Sequence, residues 1–361
     1  MKILITHASA GAGHRKAAEA LYMHLRENTS HEVVLNDALD HASPLYKKLY
    51  TGTYSLLITY IPFLWGLIFS FLDLAWMQPL VRGFRRVYNQ INMSKFNAYL
   101  CKEQFDYIFS THFMPNEVTA ALKRDARIKA RLVSVITDYD VHRVWLAKGI
   151  DIYAVACEYT KEKCKHLGVL ERQVFVSGIP SDKKFAKSHD IVALKEKFGL
   201  QKDAFTVLIA TGSFGIGPIE ELVDQLGDFQ VIVICGHNKT LFERLRQKDA
   251  SHVFVNALVD NMDELMAVSD CMVTKPGGLS ITEAMVSQLP LIFFNAIPGQ
   301  EARNVKVLKR YGIGIGPCGL KEIYEHLYRM RTSKDVHRNA VNKLKELARP
   351  QSVKDLQSLI T

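Results

Sequence analysis

The sequence has 361 residues, of which 48% are hydrophobic and 23% are charged, and its formal net charge is +9 at pH 7. This length is too great for one ordinary core and predicts two domains, and the composition excludes a disordered or fibrous protein. The positive charge fits an anionic membrane surface, whereas nucleic-acid binding is disfavoured because the sequence has no RNA-module motif and no long basic stripe.

The six cysteines are scattered along the chain, and no two of them form a C-x-x-C pair. This spacing argues against a zinc site and against a disulfide framework, and it fits a reducing cytosol. The first predicted strand, at 2–6, runs directly into a turn and is unlike the apolar stretch of a secretory signal.

Short apolar strands alternate with helices along the first half of the chain, which predicts a parallel sheet covered by helices. The strand at 2–6 leads through the glycine turn Gly11-Ala12-Gly13-His14 into a helix at 15–25. The other strands predicted in this half span 32–36, 107–110, 132–136, 152–156 and 174–177.

The second half repeats this pattern more regularly, with strands predicted at 205–210, 230–235, 252–256, 270–274 and 290–294. The predicted fold class is therefore α/β, with two Rossmann-like domains whose parallel sheets face each other across a cleft, and ligands are expected beyond the carboxyl ends of the strands. The expected boundaries are a first domain at 1–180, a linker at 181–190, a second domain at 191–345 and a C-terminal helix at 346–361 that packs back on the first domain.

The first glycine turn makes His14 a candidate catalytic residue. Lys16 stands where a dinucleotide-binding fingerprint needs a third glycine or alanine, so NAD binding is not expected even though Asp37 ends the second strand. A nearby helix N-terminus would lower the pKa of His14 and keep its ring neutral, as a general base requires. The alternative is that His14 caps the helix and does no chemistry.

A second polar group begins at Thr137-Asp138, directly after the strand predicted at 132–136. Asp138 is a candidate to orient or assist a base. The alternative is that Asp138 and Asp140 only cap the next helix, which is common after a strand. His142 is expected to be structural.

Two turns after neighbouring strands of the second half predict a nucleotide-sugar site. Gly277 and Gly278 open a helix whose N-terminal amides would hold a diphosphate. Glu283, one turn into that helix, is placed to bind the two hydroxyls of a ribose. Gln300 and Glu301 open the next helix and are placed to read a sugar.

Two further observations concern the turns of the second half. Ser280 and Glu283 also fit a capping box, in which the glutamate turns back on its own helix end and contacts no ligand. The earlier glycine turn at 211–217 lacks the terminal Lys-Ser/Thr of a P-loop, which excludes an ATPase of that type.

Residues 49–72 carry no charged side chain. This stretch is long enough for a membrane span of about 20 residues, but Pro62 interrupts it and predicted strands continue on both sides, so a span is rejected. Ordinary core helices are one alternative, and the preferred prediction is a partly exposed apolar surface that dips into the membrane interface. The residues predicted to contact the membrane or the acceptor are Phe63, Trp65, Phe69, Trp76, Arg82, Arg85 and Arg86.

Together these motifs resemble the family of monogalactosyldiacylglycerol synthases and processive diacylglycerol glucosyltransferases, which are inverting glycosyltransferases of family 28 with the GT-B fold. The chain is also similar to the enzyme that adds N-acetylglucosamine to the lipid-linked peptidoglycan precursor. The resemblance covers nearly the whole chain. It depends on Gly11-Ala12-Gly13-His14-Arg15, Asp37 with the apolar segment, Thr137-Asp138, Pro276-Gly277-Gly278 with Glu283, and Pro298-Gly299-Gln300-Glu301 with Asn304.

The resemblance implies that His14 is the base near the acceptor hydroxyl and that Asp138 is an acidic residue on the acceptor side. It implies UDP-glucose or UDP-galactose as the donor, diacylglycerol as the acceptor, and no cofactor or metal, in agreement with the missing Asp-x-Asp motif on the donor side. The residues predicted to bind the donor are Gly13, Gly212, Ser213, Phe214, Gly236, Val259, Lys275, Gly277, Gly278, Ser280, Glu283, Gln300, Glu301 and Asn304.

The resemblance further implies a peripheral protein on the cytoplasmic face of the cell membrane. The acceptor loop is shorter than that of plant members, so activation by anionic phospholipid is left open. The alternatives are a transferase that acts on the peptidoglycan precursor, a nucleotide-sugar 2-epimerase, and a UDP-sugar-sensing protein without catalysis. An epimerase needs no lipid-facing surface, and His14 with Glu283 argues against a sensor. The sequence does not distinguish glucose from galactose, which differ at one hydroxyl.

Overall fold

The computed structural model describes residues 1–9 and 11–361, except for the side chains of Thr51, Tyr54, Ser55, Ile58 and Thr59 in one helix. Within that range the chain forms two compact units. The first consists of Met1–Asp182, Ile297–Arg303 and Gln351–Thr361, and the second consists of Lys183–Ala296 and Asn304–Pro350. The segment 297–303 therefore belongs to the first unit, although its neighbours along the chain belong to the second.

The first unit is built on a parallel sheet of six strands. Their side chains are largely apolar on both faces because helices cover both sides: Leu4 lies in one hydrophobic cluster, and Ile3 and Ile5 lie in the other. The strands are β1 (Lys2–His7), β2 (Glu32–Asp37), β3 (Tyr107–Ser110), β4 (Arg131–Val135), β5 (Ile152–Val155) and β6 (Val174–Val176). Their order across the sheet is β2-β1-β3-β4-β5-β6.

In the part of the chain that the structure describes, seven α-helices follow or connect these strands. The first of them begins after Gly11 and buries Ala17, Leu21 and Leu25, which recur every fourth residue on one face. The helices are α1 (Ala12–Asn28), α2 (Pro44–Tyr60), α3 (Pro62–Leu72), α4 (Gln78–Asn92), α5 (Ser94–Glu103), α6 (Phe113–Arg124) and α7 (Glu158–His166).

The second unit has its own parallel sheet of six strands. These are β7 (Thr206–Ala210), β8 (Gln230–Ile234), β9 (Val253–Asn256), β10 (Cys271–Thr274), β11 (Leu291–Phe294) and β12 (Ile315–Cys318). Their order is β12-β11-β10-β7-β8-β9. The edge strand β12 was not predicted, because Gly316 and Pro317 interrupt its short apolar run.

The remaining helices complete the chain. They are α8 (Ile191–Lys197), α9 (Ile219–Gln225), α10 (Lys239–Gln247), α11 (Met262–Ala267), α12 (Gly278–Val286), α13 (Gln300–Arg310), α14 (Leu320–Thr332), α15 (Lys334–Leu347) and α16 (Ser352–Gln357). The last helix belongs to the first unit, where Gln357 bonds to His24 of α1 at 2.8 Å. The segment predicted as a linker contains a short 3-10 helix, Lys183–Ala186, in which Phe185 is buried.

Each sheet has a point where the order of its strands reverses. In the first sheet this point lies between β1 and β3, because β2 lies on the other side of β1. In the second sheet it lies between β7 and β10, because β8 lies on the other side of β7. Open parallel sheets bind ligands beyond the carboxyl ends of the strands at such points. The loops that follow β1, β3, β7 and β10 are therefore where functional residues are expected.

Candidate functional site

His14 lies at the reversal point of the first sheet, in the first turn of α1. Its Nδ1 is 2.8 Å from the carbonyl oxygen of Thr111, which follows β3, and 2.9 Å from the hydroxyl of Thr137, which is in the loop after β4. The hydroxyl of Thr111 donates in turn to the carbonyl oxygen of His14 at 2.8 Å. Residues that follow two neighbouring strands, β3 and β4, therefore hold the imidazole of a residue that follows β1.

These partners determine which nitrogen of His14 carries the proton. A carbonyl oxygen only accepts, so Nδ1 is protonated and donates to Thr111. Burial lowers the pKa of His14 to about 4, although the bond to Thr111 acts in the opposite direction. The ring is therefore neutral at pH 7 and has an unprotonated Nε2, which makes no hydrogen bond within the described part of the chain. A nitrogen in this state is suited to take a proton from a ligand hydroxyl.

The helix-capping alternative for His14 is wrong. The N-cap of α1 is Gly11, and no side chain in the described ranges caps this helix end. The bonds of the His14 side chain go instead to Thr111 and Thr137. Gly13, a predicted donor-binding residue, is the second residue of the same helix. Asp37 also has a local role, because its carboxylate accepts from the amide of Leu39 at 3.0 Å.

Two further histidines beside His14 were not predicted as part of this site. The ring of His112 lies edge-on to that of His14, with 4.7 Å between centroids, and its Nδ1 accepts from the amide of Met114 at 3.1 Å. Burial lowers the pKa of both His7 and His112, so the cluster is neutral at pH 7. The signal was present, since His112 follows one predicted strand closely and His7 follows another, but the sequence did not show that β1 and β3 are neighbours.

Asp138 is buried and accepts a hydrogen bond from the side-chain amide of Gln300 at 2.8 Å. This contact joins a residue predicted on the acceptor side with one predicted to read the sugar, 162 positions apart. The capping alternative for Asp138 and Asp140 is wrong: the next element is a short 3-10 helix, Arg143–Trp145, and His142 caps it by accepting from the amide of Val144 at 2.9 Å.

Glu301 is turned toward its own segment. Its carboxylate accepts from the amide of Ile297 at 2.9 Å, which stabilises the chain where it enters α13. The side chain of Gln300, the other member of the predicted sugar-reading pair, bonds to Asp138, which is itself a predicted site residue.

The second unit places a helix N-terminus at its reversal point. Helix α12 begins at Gly278 with Gly277 as its N-cap, and none of the described side chains caps it. The amides of its first turn therefore lack side-chain caps and are oriented as an anion-binding helix end requires. Ser280 is the third residue of the helix and Glu283 lies in its second turn, both half-buried. The capping-box alternative is therefore wrong, because Ser280 is not the N-cap.

The loop after β7 packs closely on the turn after β8. A Cβ on Gly215 would lie 2.2 Å from the carbonyl oxygen of Cys235, and one on Gly236 would lie 2.4 Å from that of Ser213. Both glycines have positive φ, so their conformation and the close contact each favour glycine. Gly236 thus shapes the loop that carries Gly212, Ser213 and Phe214. Within this loop Phe214 is 52% exposed.

Three other predicted donor residues are placed as follows. Asn304 is fully buried, and its side-chain amide donates to the carbonyl oxygen of Pro276 at 3.1 Å, so it stabilises the turn before α12; its contact with the donor stays a prediction. Lys275 directly follows β10 and is half-buried. Val259 lies between β9 and α11, after an edge strand, and is not brought to the reversal point by the sheet order.

The apolar stretch 49–72 forms most of α2 and all of α3, and α4 follows it. Phe63 and Trp76 are each 72% exposed. Many further large apolar side chains here are also exposed: Leu56, Tyr60, Ile61, Leu64, Leu67, Phe71, Leu80, Phe84, Val87 and Ile91. An apolar surface of this extent on a folded chain marks a site of interaction.

Two residues predicted at the membrane make contacts within the first unit instead: Phe69 is buried and Arg85 is half-buried. Phe69 is 9% exposed and its ring lies 4.1 Å from that of His142. Arg85 forms an ion pair with Glu117 at 2.5 Å and donates to the carbonyl oxygen of Val144. The reason for Phe69 is helical periodicity: the exposed side chains of α3 recur at four-residue intervals from Phe63, and position 69 falls on the opposite face. Trp65 is half-buried, and the centre of its ring lies 5.8 Å from that of Phe69.

No helix in the described ranges is by itself long and apolar enough to cross a bilayer. One pair, Pro62–Leu72 with Ala75–Asn92, meets the length and composition requirement together, but it is bent by 74°. The described residues also contain no group of three or more His, Cys, Asp or Glu side chains arranged to hold a metal ion.

A cationic cavity of about 380 Å³ opens beside α4 and α6. Arg82 and Arg86 line it and are exposed, although Arg86 lies 3.5 Å from the carboxylate of Asp125, and Arg85 is neutralised by Glu117. The charged residues around it are Arg82, Arg85, Arg86, Arg124, Arg127 and Lys148, with Glu117 and Asp125. The exposed apolar helices are therefore bordered by positive charge.

Two family models match the sequence. The model described as monogalactosyldiacylglycerol (MGDG) synthase matches residues 14–180, and the model described as glycosyltransferase family 28 C-terminal domain matches residues 194–312. A processive diacylglycerol beta-glucosyltransferase of Bacillus cereus (strain AH187) is 29% identical over 321 residues, which cover 87% of this chain and 81% of that protein. A protein of the same name from Bacillus mycoides (strain KBAB4) is 28% identical over 323 residues, with the same coverage.

Solved structures show the same fold. MurG of Acinetobacter baumannii superposes with a TM-score of 0.61 at 14% identity and covers 100% of this chain and 99% of its own. The UDP-GlcNAc 2-epimerase of Neisseria meningitidis, bound to UDP-GlcNAc, superposes with a TM-score of 0.64 at 11% identity, with the same coverage. The predicted α/β fold class, GT-B with two Rossmann-like domains, is confirmed.

Proposed function

We propose that this chain, a glycosyltransferase that belongs to the monogalactosyldiacylglycerol synthase family and carries a family 28 C-terminal domain, moves a hexose from a UDP-sugar to the hydroxyl of diacylglycerol. The observation that carries this proposal is the state of His14: a neutral imidazole whose Nδ1 is occupied and whose Nε2 is available to take a proton. The matches to both family models and the names of the Bacillus relatives support the substrates.

The proposed reaction is a single displacement at the anomeric carbon. Nε2 of His14 takes the proton of the acceptor hydroxyl as its oxygen attacks, and the bond between the sugar and UDP breaks with inversion. The N-terminal amides of α12 stabilise the charge that develops on the leaving UDP, while Glu283 binds its ribose. Thr111 and Thr137 keep the imidazole oriented, and Asp138, predicted on the acceptor side, holds the amide of Gln300, which is predicted to read the sugar.

The choice of UDP-glucose as the first donor to test is based on the Bacillus relatives, which are named glucosyltransferases. The test incubates the purified chain with diacylglycerol vesicles and with UDP-glucose or UDP-galactose in turn. We expect mass spectrometry to detect a monohexosyl or oligohexosyl diacylglycerol, with UDP-glucose as the better donor. Donor binding without any glycolipid would contradict the proposal and favour a UDP-sugar sensor. Product formed only on a peptidoglycan precursor would contradict the assigned acceptor.

The chain is proposed to act as a peripheral protein on the cytoplasmic face of the membrane. Exposed apolar side chains on α3 and beside it provide the area that would enter the interface, and the cationic side chains around α4 would attract anionic lipid headgroups. An acceptor that resides in the bilayer requires such a surface close to the base.

We expect the double substitution Phe63→Ser with Trp76→Ser to weaken vesicle binding. Both side chains are 72% exposed, and each contributes about 1.5 kcal/mol or more when it is buried in an apolar environment, or about tenfold in affinity. Flotation with vesicles of anionic and zwitterionic lipid measures the effect.

The matched control for this prediction is Leu170→Ser. Leu170 is an apolar side chain of the first unit that is 50% exposed but lies near β6, away from the apolar helices in sequence. Its replacement should leave flotation unchanged. Equal flotation of the double variant and the control would show that the apolar helices do not contact the membrane.

A further inference from the structure

The inner face of α3 contacts the segment 297–303 at very short range. A Cβ on Gly66 would lie 2.5 Å from the Cβ of Pro298, and one on Gly299 would lie 3.0 Å from the ring of Phe69. Gly299 also has a φ of +101°, which favours glycine independently of the available space. The two glycines therefore permit the segment to lie directly on the helix.

An ion pair fixes this contact at the end of α3. Arg303 donates to the carboxylate of Asp73 at 2.6 Å, and its guanidinium lies 5.0 Å from the centre of the Phe69 ring. Asp73 is the C-cap of α3, and its other carboxylate oxygen accepts from the amide of Arg143 at 2.9 Å. Both side chains of the pair are largely shielded from solvent, with 24% and 19% exposure, so the contact is more than a surface ion pair.

Asp73 is ionised and its surroundings are ordered. Burial alone would raise the pKa of Asp73, but the proximity of His142, the amide of Arg143 and the guanidinium of Arg303 outweigh burial and lower it. His142 in turn donates from Nε2 to the carbonyl oxygen of Phe69 at 2.8 Å. The partner of Arg303 is therefore a charged group held by several contacts.

Arg303 is one helical turn after Gln300 in α13. Residues three apart lie on the same side of a helix, so fixing Arg303 also fixes the direction in which Gln300 projects. That direction brings the Gln300 amide to Asp138 at 2.8 Å. The place of Gln300 thus depends on a pair of residues that do not themselves lie in the predicted sugar site.

We propose that Arg303 and Asp73 are positioning residues that hold Gln300 for the hexose of the donor. This inference rests on the proposed function. Because the uridine diphosphate is assigned to α12 and Glu283, loss of the ion pair should weaken recognition of the sugar and leave recognition of UDP intact. A merely structural role would not separate these two affinities.

The test compares Arg303→Gln and Asp73→Asn with the unmodified chain. We expect the KM for UDP-glucose to rise about tenfold in each variant, since one charge-assisted contact is lost, and the Kd for UDP to stay within about twofold. The double variant should be no worse than the more affected single variant, because both changes remove the same contact. Arg338→Gln is the matched control, since its pair with Asp335 is 75% and 83% exposed.

The possible failures are distinguishable. Equal weakening of UDP and UDP-glucose, or an unchanged KM in both single variants, overturns the positioning role. If Arg303→Gln does not fold, Arg303→Lys keeps the charge but changes the geometry, and a smaller rise in KM with unchanged UDP affinity is then expected. If the unmodified chain binds UDP-glucose without forming glycolipid, the proposed function fails, and calorimetric affinities for UDP-glucose and UDP still decide the inference. An unmodified chain that binds neither refutes both.

Discussion

Replacing His14 with alanine is expected to lower kcat about a thousandfold, within the range that a positioned general base contributes. The imidazole is held by Thr111 and Thr137 with its Nε2 unprotonated, and alanine has no atom that can accept the acceptor's proton. The KM for the UDP-sugar should change little, because His14 is assigned to the acceptor. Steady-state kinetics on the purified variant, with circular dichroism to verify folding, measures both effects.

His24→Ala is the matched control, because His24 lies on the same helix and its ring bonds to Gln357 rather than to the site. Its kcat should stay near that of the unmodified chain. An His14→Ala variant with wild-type turnover would remove the base from the mechanism and transfer the role to Asp138 or to another group.

The pH dependence of kcat/KM provides a second test of His14 as the base. Its pKa is lowered from 6.5 to about 4 by burial, so the neutral, base-competent form dominates above about pH 4. The kcat/KM of the unmodified chain should therefore stay level from pH 8 down to about pH 5 and fall below that. The free energy of unfolding changes in the same direction. Because the unfolded chain takes up the proton first, near pH 6.5, stability is lost as the pH falls from 6.5 through about 4. An activity limb near pH 6.5 would show that His14 is not the titrating base.

The fold was largely predictable because parallel strands leave a strong sequence signal. Strands such as β3 and β8 are continuous apolar runs bounded by turns, and both were located from that pattern alone. The edge strand β12 has no such run and was missed. Helix starts were less certain: α12 begins at Gly278, two residues before the serine that the capping box would need, because glycine can serve as an N-cap without a side-chain bond.

The site was only partly predictable because its contacts connect distant parts of the chain. His14 was found from a glycine turn, but its partner Thr111 is 97 residues away and follows a strand whose position in the sheet the sequence does not give. The same limit applies to Asp138 and Gln300. Phe69 illustrates a different limit. As an aromatic residue in an apolar stretch it suited a membrane contact, and only the helix face on which it lies shows that it is buried.

Replacing Glu283 with alanine is expected to raise the Kd for UDP about a hundredfold. A carboxylate that accepts hydrogen bonds from both ribose hydroxyls contributes about 3 kcal/mol, since hydrogen bonds to charged groups are worth about 1.5 kcal/mol or more each. Glu283→Gln keeps the shape but loses the charge and one acceptor, so an intermediate loss of about tenfold is expected. Titration calorimetry with UDP measures both variants directly.

A capping glutamate elsewhere in the second unit provides the control that separates ligand binding from helix stability. Glu322 accepts from the amide of Gly319 at 2.8 Å at the start of α14, so Glu322→Ala should lower the free energy of unfolding by about 0.5–1 kcal/mol without affecting UDP affinity. Glu283→Ala should show the opposite pattern, because Glu283 lies in the second turn of α12 and outside its cap. If Glu283→Ala is destabilised like Glu322→Ala and binds UDP normally, the carboxylate is structural and the donor is held by other groups.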